Sequence, residues 1–398
     1  MGDAATIPPE SAFRVTHTCG AARRGELRTA HGVVQTPTFM PVGTQGAVKA
    51  VTGRDLRDAG AEMILGNTYH LYLRPGDRRI ARLGGLHRFM GWDGPILTDS
   101  GGYQVFSLAG RRTVLEDGVR FRSHLDGSEH LLTPEGAVDI QARLGSDVAM
   151  VLDECLGHPA PHAEARAAVE RTARWGRRGR DRFLDRRTRG AALPDAVNPA
   201  QAQFGIVQGS TYRDLREASL ERTVAIGFDG YAIGGLAVGE GPERMLEILD
   251  ATLPHMPSDA PRYLMGVGRP QDLVECVARG VDMFDCVIPT RHARTGVLYT
   301  DVGRIRISDR RYRNDAYPPD TRCDCATCTR FSRAYLHHLF HVGEILASSL
   351  ATIHNLRWYV RFMERMRASI EAGSFAAFRA EVLDRYPMGT PAEAREDD

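Results

Sequence analysis

The fold is decided by residues 203–266, which read QFGIVQGSTYRDLREASLERTVAIGFDGYAIGGLAVGEGPERMLEILDATLPHMPSDAPRYLMG. This stretch holds three short apolar runs, and each run stops at a polar or glycine residue. A helical pattern of apolar residues fills both gaps, over 212–224 and 241–253. Short apolar runs that alternate with amphipathic helices are typical of parallel strands joined by crossover helices. The stretch therefore predicts a β-α-β-α-β unit.

The same alternation extends outward in both directions along the chain. The eight predicted strands are FMPV (39–42), EMIL (62–65), PILT (95–98), VAMVL (148–152), QFGIV (203–207), YAIG (231–234), RYLMG (262–266) and MFDCVI (283–288). Most of the gaps between them hold a helical pattern, and eight alternations predict an α/β fold, the (β/α)8 TIM barrel. A doubly wound open sheet is the alternative, but no G-x-G-x-x-G sequence follows an early predicted strand.

Polar residues stand where the predicted strands end. They are Asn67, Asp99, Asp153, Gln208, Gly235 and, within the last strand, Asp285. The catalytic groups of TIM barrels lie at the carboxyl ends of the strands. One aspartate before a helix is more often a helix N-cap than a catalyst. Three carboxylates at equivalent positions favour an active site at this end of the barrel.

The charge of the chain neither indicates nor excludes a nucleic-acid partner. Its 398 residues include 51 Lys and Arg against 50 Asp and Glu, so a polyanion would have to bind a local basic patch. No apolar run approaches the roughly 18 residues of a membrane helix. The opening MGDAATIPPESAF lacks the basic and apolar order of a secretory signal. We expect a cytoplasmic protein with no membrane segment.

Three of the seven cysteines are crowded into Cys323, Cys325 and Cys328. An odd number of cysteines with such a cluster favours a metal site in a reducing compartment over a disulfide framework. Three thiolates this close can converge on one zinc ion, and a closed structural site needs a fourth ligand. The downstream candidates, among which spacing does not choose, are His337, His338, His341 and His354.

The cysteine cluster lies after the last predicted strand, in a segment rich in arginine and turns. We expect three parts: a (β/α)8 barrel with the catalytic pocket over 13–295, a zinc-binding insertion over 296–358, and a closing helix of the barrel over 359–390. The zinc would hold together an insertion that has too little apolar content to fold alone.

Several phrases of the sequence resemble those of one family, the bacterial tRNA-guanine transglycosylases, which act in queuosine biosynthesis. The phrases include ILGNTYHLYLRPG, LTDSGGYQVFSL, VLDEC, GIVQGS, YAIGGLAVGE, YLMGVG, MFDCVIPTR and CDCATC with a later HN, and together the matching segments span about residues 14–360. The resemblance implies the TIM barrel and places the family's functional groups on this chain.

In MFDCV, Asp285 resembles the family nucleophile, and Asp99 of TDSGG resembles the general acid/base. The other implied substrate-binding residues are Tyr103 and Met265 as a stacking slot, with Asp153, Cys155, Gln208, Gly235 and Leu236 as guanine-recognition groups. For the metal, the resemblance implies Cys323, Cys325, Cys328 and His354 as ligands of one structural Zn²⁺ per chain.

The implied reaction exchanges guanine at the tRNA wobble position for 7-aminomethyl-7-deazaguanine, without cutting the strand. A carboxylate suits it, because it stabilises the oxocarbenium character at ribose C1′ and then forms a covalent intermediate. The implied tRNAs carry a GUN anticodon and are those for aspartate, asparagine, histidine and tyrosine. The resemblance also implies a homodimer. Val238 and Cys155 follow the bacterial pattern, which implies the aminomethyl-deazaguanine substrate rather than queuine.

The tRNA needs a basic surface, and arginines follow Asp285 and precede the cysteine cluster. The predicted RNA-binding residues are Arg291, Arg294, Arg304 and Arg311. A different class of protein, a tRNA-binding partner subunit of the same fold without catalysis, is the alternative. The presence of both Asp99 and Asp285 argues against it. A glycoside hydrolase would explain the carboxylates, but not the guanine-recognition groups or the insertion.

Overall fold

The computed structural model describes residues 12–108, 112–189 and 195–388. Its strands are β1 (Phe13–Cys19), β2 (Ala22–Thr29), β3 (Gly32–Thr36), β4 (Thr38–Gly43), β5 (Ile64–Gly66), β6 (Ile96–Thr98), β7 (Arg112–Leu115), β8 (Gly118–Arg122), β9 (Glu129–Leu132), β10 (Val148–Met150), β11 (Ala202–Val207), β12 (Gly230–Ile233), β13 (Arg262–Leu264), β14 (Met283–Cys286), β15 (Val297–Thr300) and β16 (Gly303–Arg306).

The helices surround these strands. They are α1 (Gly53–Asp58), α2 (Thr68–Leu73), α3 (Asp77–Arg82), α4 (Gly85–Met90), α5 (Gly102–Leu108), α6 (Pro134–Leu144), α7 (His162–Arg189), α8 (Arg213–Ile226), α9 (Pro242–Thr252), α10 (Pro270–Ala278), α11 (Ile288–Arg294), α12 (Arg333–Val342), α13 (Ile345–Glu371) and α14 (Phe375–Arg385), with short 3-10 helices at Leu253–His255 and Arg310–Tyr312. Among the described residues, no helix combines the length and the apolar character needed to cross a bilayer.

Eight parallel strands close into a barrel in the order β10-β11-β12-β13-β14-β4-β5-β6. Each of the eight predicted runs forms one of these strands, so the predicted TIM barrel is confirmed. The strands are short and buried on both faces, which is why they appear in the sequence as continuous apolar runs rather than alternating ones. The barrel closes where its last strand, β14, pairs with its first, β4, and Asp285 lies opposite Met40 in this pair.

A three-stranded antiparallel sheet, β1-β2-β3, covers the amino-terminal end of the barrel. Two contacts fix it there. Arg23 on β2 forms a buried ion pair with Asp282, which directly precedes β14. His31, in the turn between β2 and β3, contacts Asp147, which directly precedes β10. The carboxyl-terminal end, where the predicted active site lies, is therefore the opposite face.

Two further features lie outside the barrel pattern. A second antiparallel sheet, β7-β8-β9, stands between β6 and α6 and was not predicted. The helix α13 contacts both the barrel strand β4 and the hairpin strand β15. As one continuous helix, it runs through residue 358, the expected boundary between the zinc-binding insertion and the closing helix. The division of the chain into these two parts stays a prediction. Residues 389–390 of the predicted closing segment lie outside the described residues.

Candidate active site and metal centre

The carboxylate of Asp285 is held through a single oxygen. The Tyr263 hydroxyl donates to Oδ1 at 2.5 Å, and the Gly266 amide donates to the same atom at 2.9 Å. Among the residues that the structure describes, Oδ2 has no hydrogen-bond partner. Burial raises the pKa of Asp285, while the two hydrogen bonds lower it. The residue is thus an oriented carboxylate with one oxygen available to a ligand.

The carboxylate of Asp99 is buried directly after β6. The Asn67 side-chain amide donates to Oδ2, and the Thr68 backbone amide donates to Oδ1 at 2.8 Å. Burial raises the pKa of Asp99 to about 6, and the negative charge of Asp285 contributes to that rise. A carboxyl group whose pKa lies this near neutrality can both give and accept a proton.

A second buried carboxylate, Asp153, follows β10. The Gln208 side-chain amide donates to Oδ2 at 2.6 Å, and the Ser100 hydroxyl donates to Oδ1 at 3.1 Å. Burial raises the pKa of Asp153 to about 6. The backbone at Gly102 approaches it so closely that a Cβ there would lie 2.8 Å from the Asp153 carbonyl oxygen. The glycine is therefore required by the packing.

The loop after β12 forms the next part of the rim. Gly235 has φ of +65°, and a Cβ on it would lie 2.3 Å from Gln208 Oε1. Leu236, which directly follows Gly235, and Cys155, in the segment after β10, are both buried. Burial raises the pKa of the Cys155 thiol to about 12, so this side chain is a neutral thiol at physiological pH and not a nucleophile.

The buried Arg216 on α8, which no sequence pattern indicates as a functional residue, positions this loop. Its guanidinium donates to the carbonyls of Val207 at 2.9 Å, Gly234 at 2.7 Å and Gly235 at 3.2 Å. Its Nε donates to the Ser210 carbonyl at 2.8 Å. Burial lowers the pKa of Arg216 to about 10, which still leaves it charged at neutral pH. One cation therefore joins the ends of β11 and β12.

The two residues of the predicted stacking slot lie on opposite sides of the barrel mouth. Tyr103, on α5 after β6, is 52% exposed, and Met265 directly follows β13. In the closed barrel, β6 and β13 are four strands apart, with β10, β11 and β12 between them on one side. The predicted guanine-recognition groups follow those three strands. The structure thus brings the substrate-binding candidates to one half of the rim.

The predicted RNA-binding arginines occupy the segment after β14. Arg294, Arg304 and Arg311 are exposed, and Arg291 is half-buried. Arg311 pairs with Asp309 at 3.2 Å and lies over the Tyr312 ring. Arg291 and Arg294 lie on α11, which directly follows the strand carrying Asp285, and Arg304 lies on β16.

The metal-ligand candidates converge on one point. All three cysteines of the cluster are buried, His354 on α13 is fully buried, and the four ligand atoms lie within 4.8 Å of one another. The His354 Nδ1 is 3.2 Å from Cys328 Sγ. Its Nε2 lies 2.7 Å from the Tyr299 carbonyl oxygen, and donation there leaves Nδ1 free for an ion. All seven cysteines lie among the described residues, and none of them forms a disulfide.

This donor set fits a structural metal site, because four convergent ligands leave no open position. The buried cluster is able to bind a metal ion. Of the four candidate histidines, the structure places His354 with the cysteines, whereas His337 hydrogen-bonds the Ile307 carbonyl at 2.9 Å.

Comparison with known proteins gives a match over most of the chain. Residues 18–388 match the family model described as "Queuine tRNA-ribosyltransferase". A protein of that name from Solidesulfovibrio magneticus is 54% identical over 370 residues, which cover 93% of this chain and 96% of the relative. A second, from Aromatoleum aromaticum, is 56% identical over 91% of this chain and 96% of the relative. A third, from Zymomonas mobilis, is 50% identical over 96% and 97%.

Proposed function

The chain belongs to the queuine tRNA-ribosyltransferase family of pentosyltransferases, and on that premise we propose that it exchanges guanine at the wobble position of GUN-anticodon tRNAs for 7-aminomethyl-7-deazaguanine. The observation that carries the proposal is the carboxylate of Asp285, which is anchored through Oδ1 by Tyr263 and Gly266 and presents its other oxygen. The products are a modified tRNA and free guanine.

In the proposed first step, Asp285 Oδ2 attacks ribose C1′ as the bond to guanine breaks. The carboxylate stabilises the oxocarbenium character of the transition state and forms a covalent ribosyl-enzyme that keeps the tRNA attached. Protonated Asp99 supplies the proton to the departing guanine. The incoming deazaguanine then attacks the same carbon from the vacated side, gives its ring N–H proton to Asp99, and releases Asp285. Two inversions retain the configuration at C1′.

The proposed base selection uses the second carboxylate. Guanine offers the donors N1–H and N2–H₂ beside the acceptor O6, and Asp153 would accept from the donors. Each Asp153 oxygen now accepts one hydrogen bond, from Gln208 or Ser100, and keeps lone pairs for a base. The amides of Gln208 and Gly235 would donate to O6. Adenine has the reverse pattern, so it would leave buried groups unpaired, at about 1–3 kcal/mol for each missed contact.

The flipped base would stack between Tyr103 and Met265, which replaces the stacking that it loses in the anticodon loop. The four predicted arginines would contact tRNA phosphates. We also propose that the Cys3His cluster holds one Zn²⁺, since three thiolates and one imidazole are typical ligands of structural zinc. The ion would stabilise the insertion and take no part in the exchange. A cytoplasmic homodimer completes the proposal.

The test follows radiolabelled guanine into a tRNA with a GUN anticodon. We expect wild-type protein to incorporate the label and Asp285→Asn to lose both the label and the covalent protein–RNA adduct on a denaturing gel. Asp384→Asn, which changes an exposed aspartate on α14, is the control and should exchange normally. Full exchange by Asp285→Asn would reject the nucleophile. Wild-type protein that binds tRNA without exchange would favour the alternative, the partner subunit.

A further inference from the structure

A second group of metal-ligating side chains lies at the amino-terminal end of the barrel, on the face opposite the candidate active site. It consists of His31 in the β2–β3 turn, His87 on α4 and Asp147 directly before β10. The His31 Nδ1 lies 2.8 Å from Asp147 Oδ1, and the His87 Nε2 lies 3.1 Å from Asp147 Oδ2. Two segments distant in sequence thus place an imidazole nitrogen against each oxygen of the Asp147 carboxylate.

The arrangement is rigid on one side and open on the other. The Asp147 side chain is 0% exposed, and its Oδ2 also accepts a hydrogen bond from the Ile96 amide at 2.9 Å, which fixes the carboxylate. The two imidazole rings stack with centroids 3.6 Å apart and planes at 19°. The His87 side chain is 11% exposed and that of His31 33%, so solvent reaches the group from the His31 side.

A divalent ion would supply positive charge directly beside the buried Asp147 carboxylate. Metal ions bind the neutral form of imidazole, and two neutral rings can lie in contact without repulsion.

The spacing also suits an ion. With metal–ligand bonds of about 2.0–2.1 Å, tetrahedral geometry separates neighbouring ligand atoms by roughly 3.3 Å. The nitrogen–oxygen separations are 2.8 Å to Asp147 Oδ1 and 3.1 Å to Asp147 Oδ2, so an ion between these atoms requires the more exposed His31 ring to turn out of the stack until both ring planes contain the ion. All three ligand atoms lie within 4.8 Å of one another.

We propose that His31, His87 and Asp147 form a second metal site, which binds a first-row divalent ion of the Zn²⁺ and Co²⁺ class with water in the remaining position. Two imidazoles and one carboxylate favour such ions over Mg²⁺ and Ca²⁺, which prefer oxygen ligands. Unlike the Cys3His cluster, this site is partly open to solvent and exchanges its ion. The bound ion joins the β1-β2-β3 sheet to the amino ends of the barrel strands and constrains the long chain segments between its ligands.

The experiment uses the purified full chain with its cysteine cluster already loaded with zinc. Titration with Co²⁺, followed by calorimetry and visible absorption, should show uptake of one further equivalent. The spectrum should contain d–d bands but no new thiolate charge-transfer band. The ion should also raise the melting temperature. We expect His31→Ala and, as a second variant, His87→Gln to lose this equivalent and the temperature shift while they keep the cysteine-bound zinc.

The matched control is His255→Ala, which removes an exposed histidine from the 3-10 helix after α9. It should bind the second equivalent as the wild type does. The proposal is overturned if wild-type protein takes up no further ion, because the three residues would then be a hydrogen-bonded cluster only. Equal uptake by wild type and His31→Ala, or a thiolate charge-transfer band for the added ion, would overturn it as well.

Discussion

Replacing Asp153 by asparagine should stabilise the folded protein at alkaline pH while it weakens guanine recognition. The carboxyl is 5% exposed, and burial raises its pKa from 3.8 to about 6. A shift of about two pKa units corresponds to about 3 kcal/mol. Because the pKa of Asp153 is higher in the folded than in the unfolded protein, its contribution to the unfolding free energy is fully present below pH 3.8 and is lost as the pH rises through 6. The side-chain amide of the variant would not titrate, so the variant loses no stability at this position as the pH rises.

The quantity to measure is the difference in unfolding free energy between Asp153→Asn and wild type, from urea denaturation at pH 4.5 and at pH 8. We expect the difference to move in favour of the variant by about 2 kcal/mol over this range. Any pH-independent effect of the replacement cancels in this comparison. Gln208 can turn its amide so that Oε1 accepts from the new Asn, and Ser100 keeps its acceptor, so the hydrogen bonds survive.

The same measurement on Asp384→Asn, an exposed site, controls for the change from carboxylate to amide and should show a far smaller movement. A difference for Asp153→Asn that stays constant with pH, or that moves in favour of wild type at pH 8, would refute the claim that this carboxylate is buried and destabilised. Loss of the carboxylate should also cost guanine exchange about 10- to 100-fold, as expected for a hydrogen bond to a charged group.

Three further predictions concern other parts of the molecule. Tyr263→Phe removes a hydrogen bond to a carboxylate, worth about 1.5–3 kcal/mol, so the pKa of Asp285 rises further and the acid limb of the pH–rate profile moves up by about 1–2 units; an unmoved limb contradicts this. Gly235→Ala puts a side chain at φ +65° and 2.3 Å from Gln208 Oε1, so we expect roughly 1–2 kcal/mol of lost stability and a raised KM for guanine, measured by denaturation and exchange kinetics. Cys325→Ala should lose the zinc, measured by elemental analysis, and melt at a lower temperature; a full zinc complement would argue against the cluster.

The barrel could be predicted because its strands are buried on both faces. Burial on both faces makes each strand a continuous apolar run, and the run is visible without any knowledge of its neighbours. The sheet β7-β8-β9 gave no such signal. Its outer strands carry exposed or half-buried charged residues, as in Arg112–Leu115 and Glu129–Leu132, so their sequence resembles that of a loop.

The site could be predicted only as far as chemistry shows in local sequence. The carboxylates at the strand ends stand out because a buried position is unusual for an acid. Arg216 does not stand out, because an arginine on an amphipathic helix is usually exposed, and only the folded structure brings four carbonyl groups to it. Tyr263 lies within an apolar strand, where its ring predicts core packing. The sequence does not indicate that its hydroxyl group contacts the Asp285 carboxylate.

The histidine of the cysteine cluster illustrates a third case. Spacing left four candidates open, and the resemblance to a family selected His354. The choice depends on which face of the long helix α13 turns toward the cysteines, and that in turn depends on the packing of α13 against β4 and β15. No local pattern contains this information.

The bridging role of Arg216 limits how this pocket can change. One guanidinium donates hydrogen bonds to carbonyl groups at the ends of both β11 and β12. The loop after β11 therefore cannot move relative to the loop after β12 without breaking these bonds. The departing base and the arriving base would therefore contact the same pair of loops in the same conformation. A change of base specificity would therefore have to come from substitution of side chains that line the pocket. The backbone of these two loops is held in place by Arg216 and would not adjust to a base of another shape.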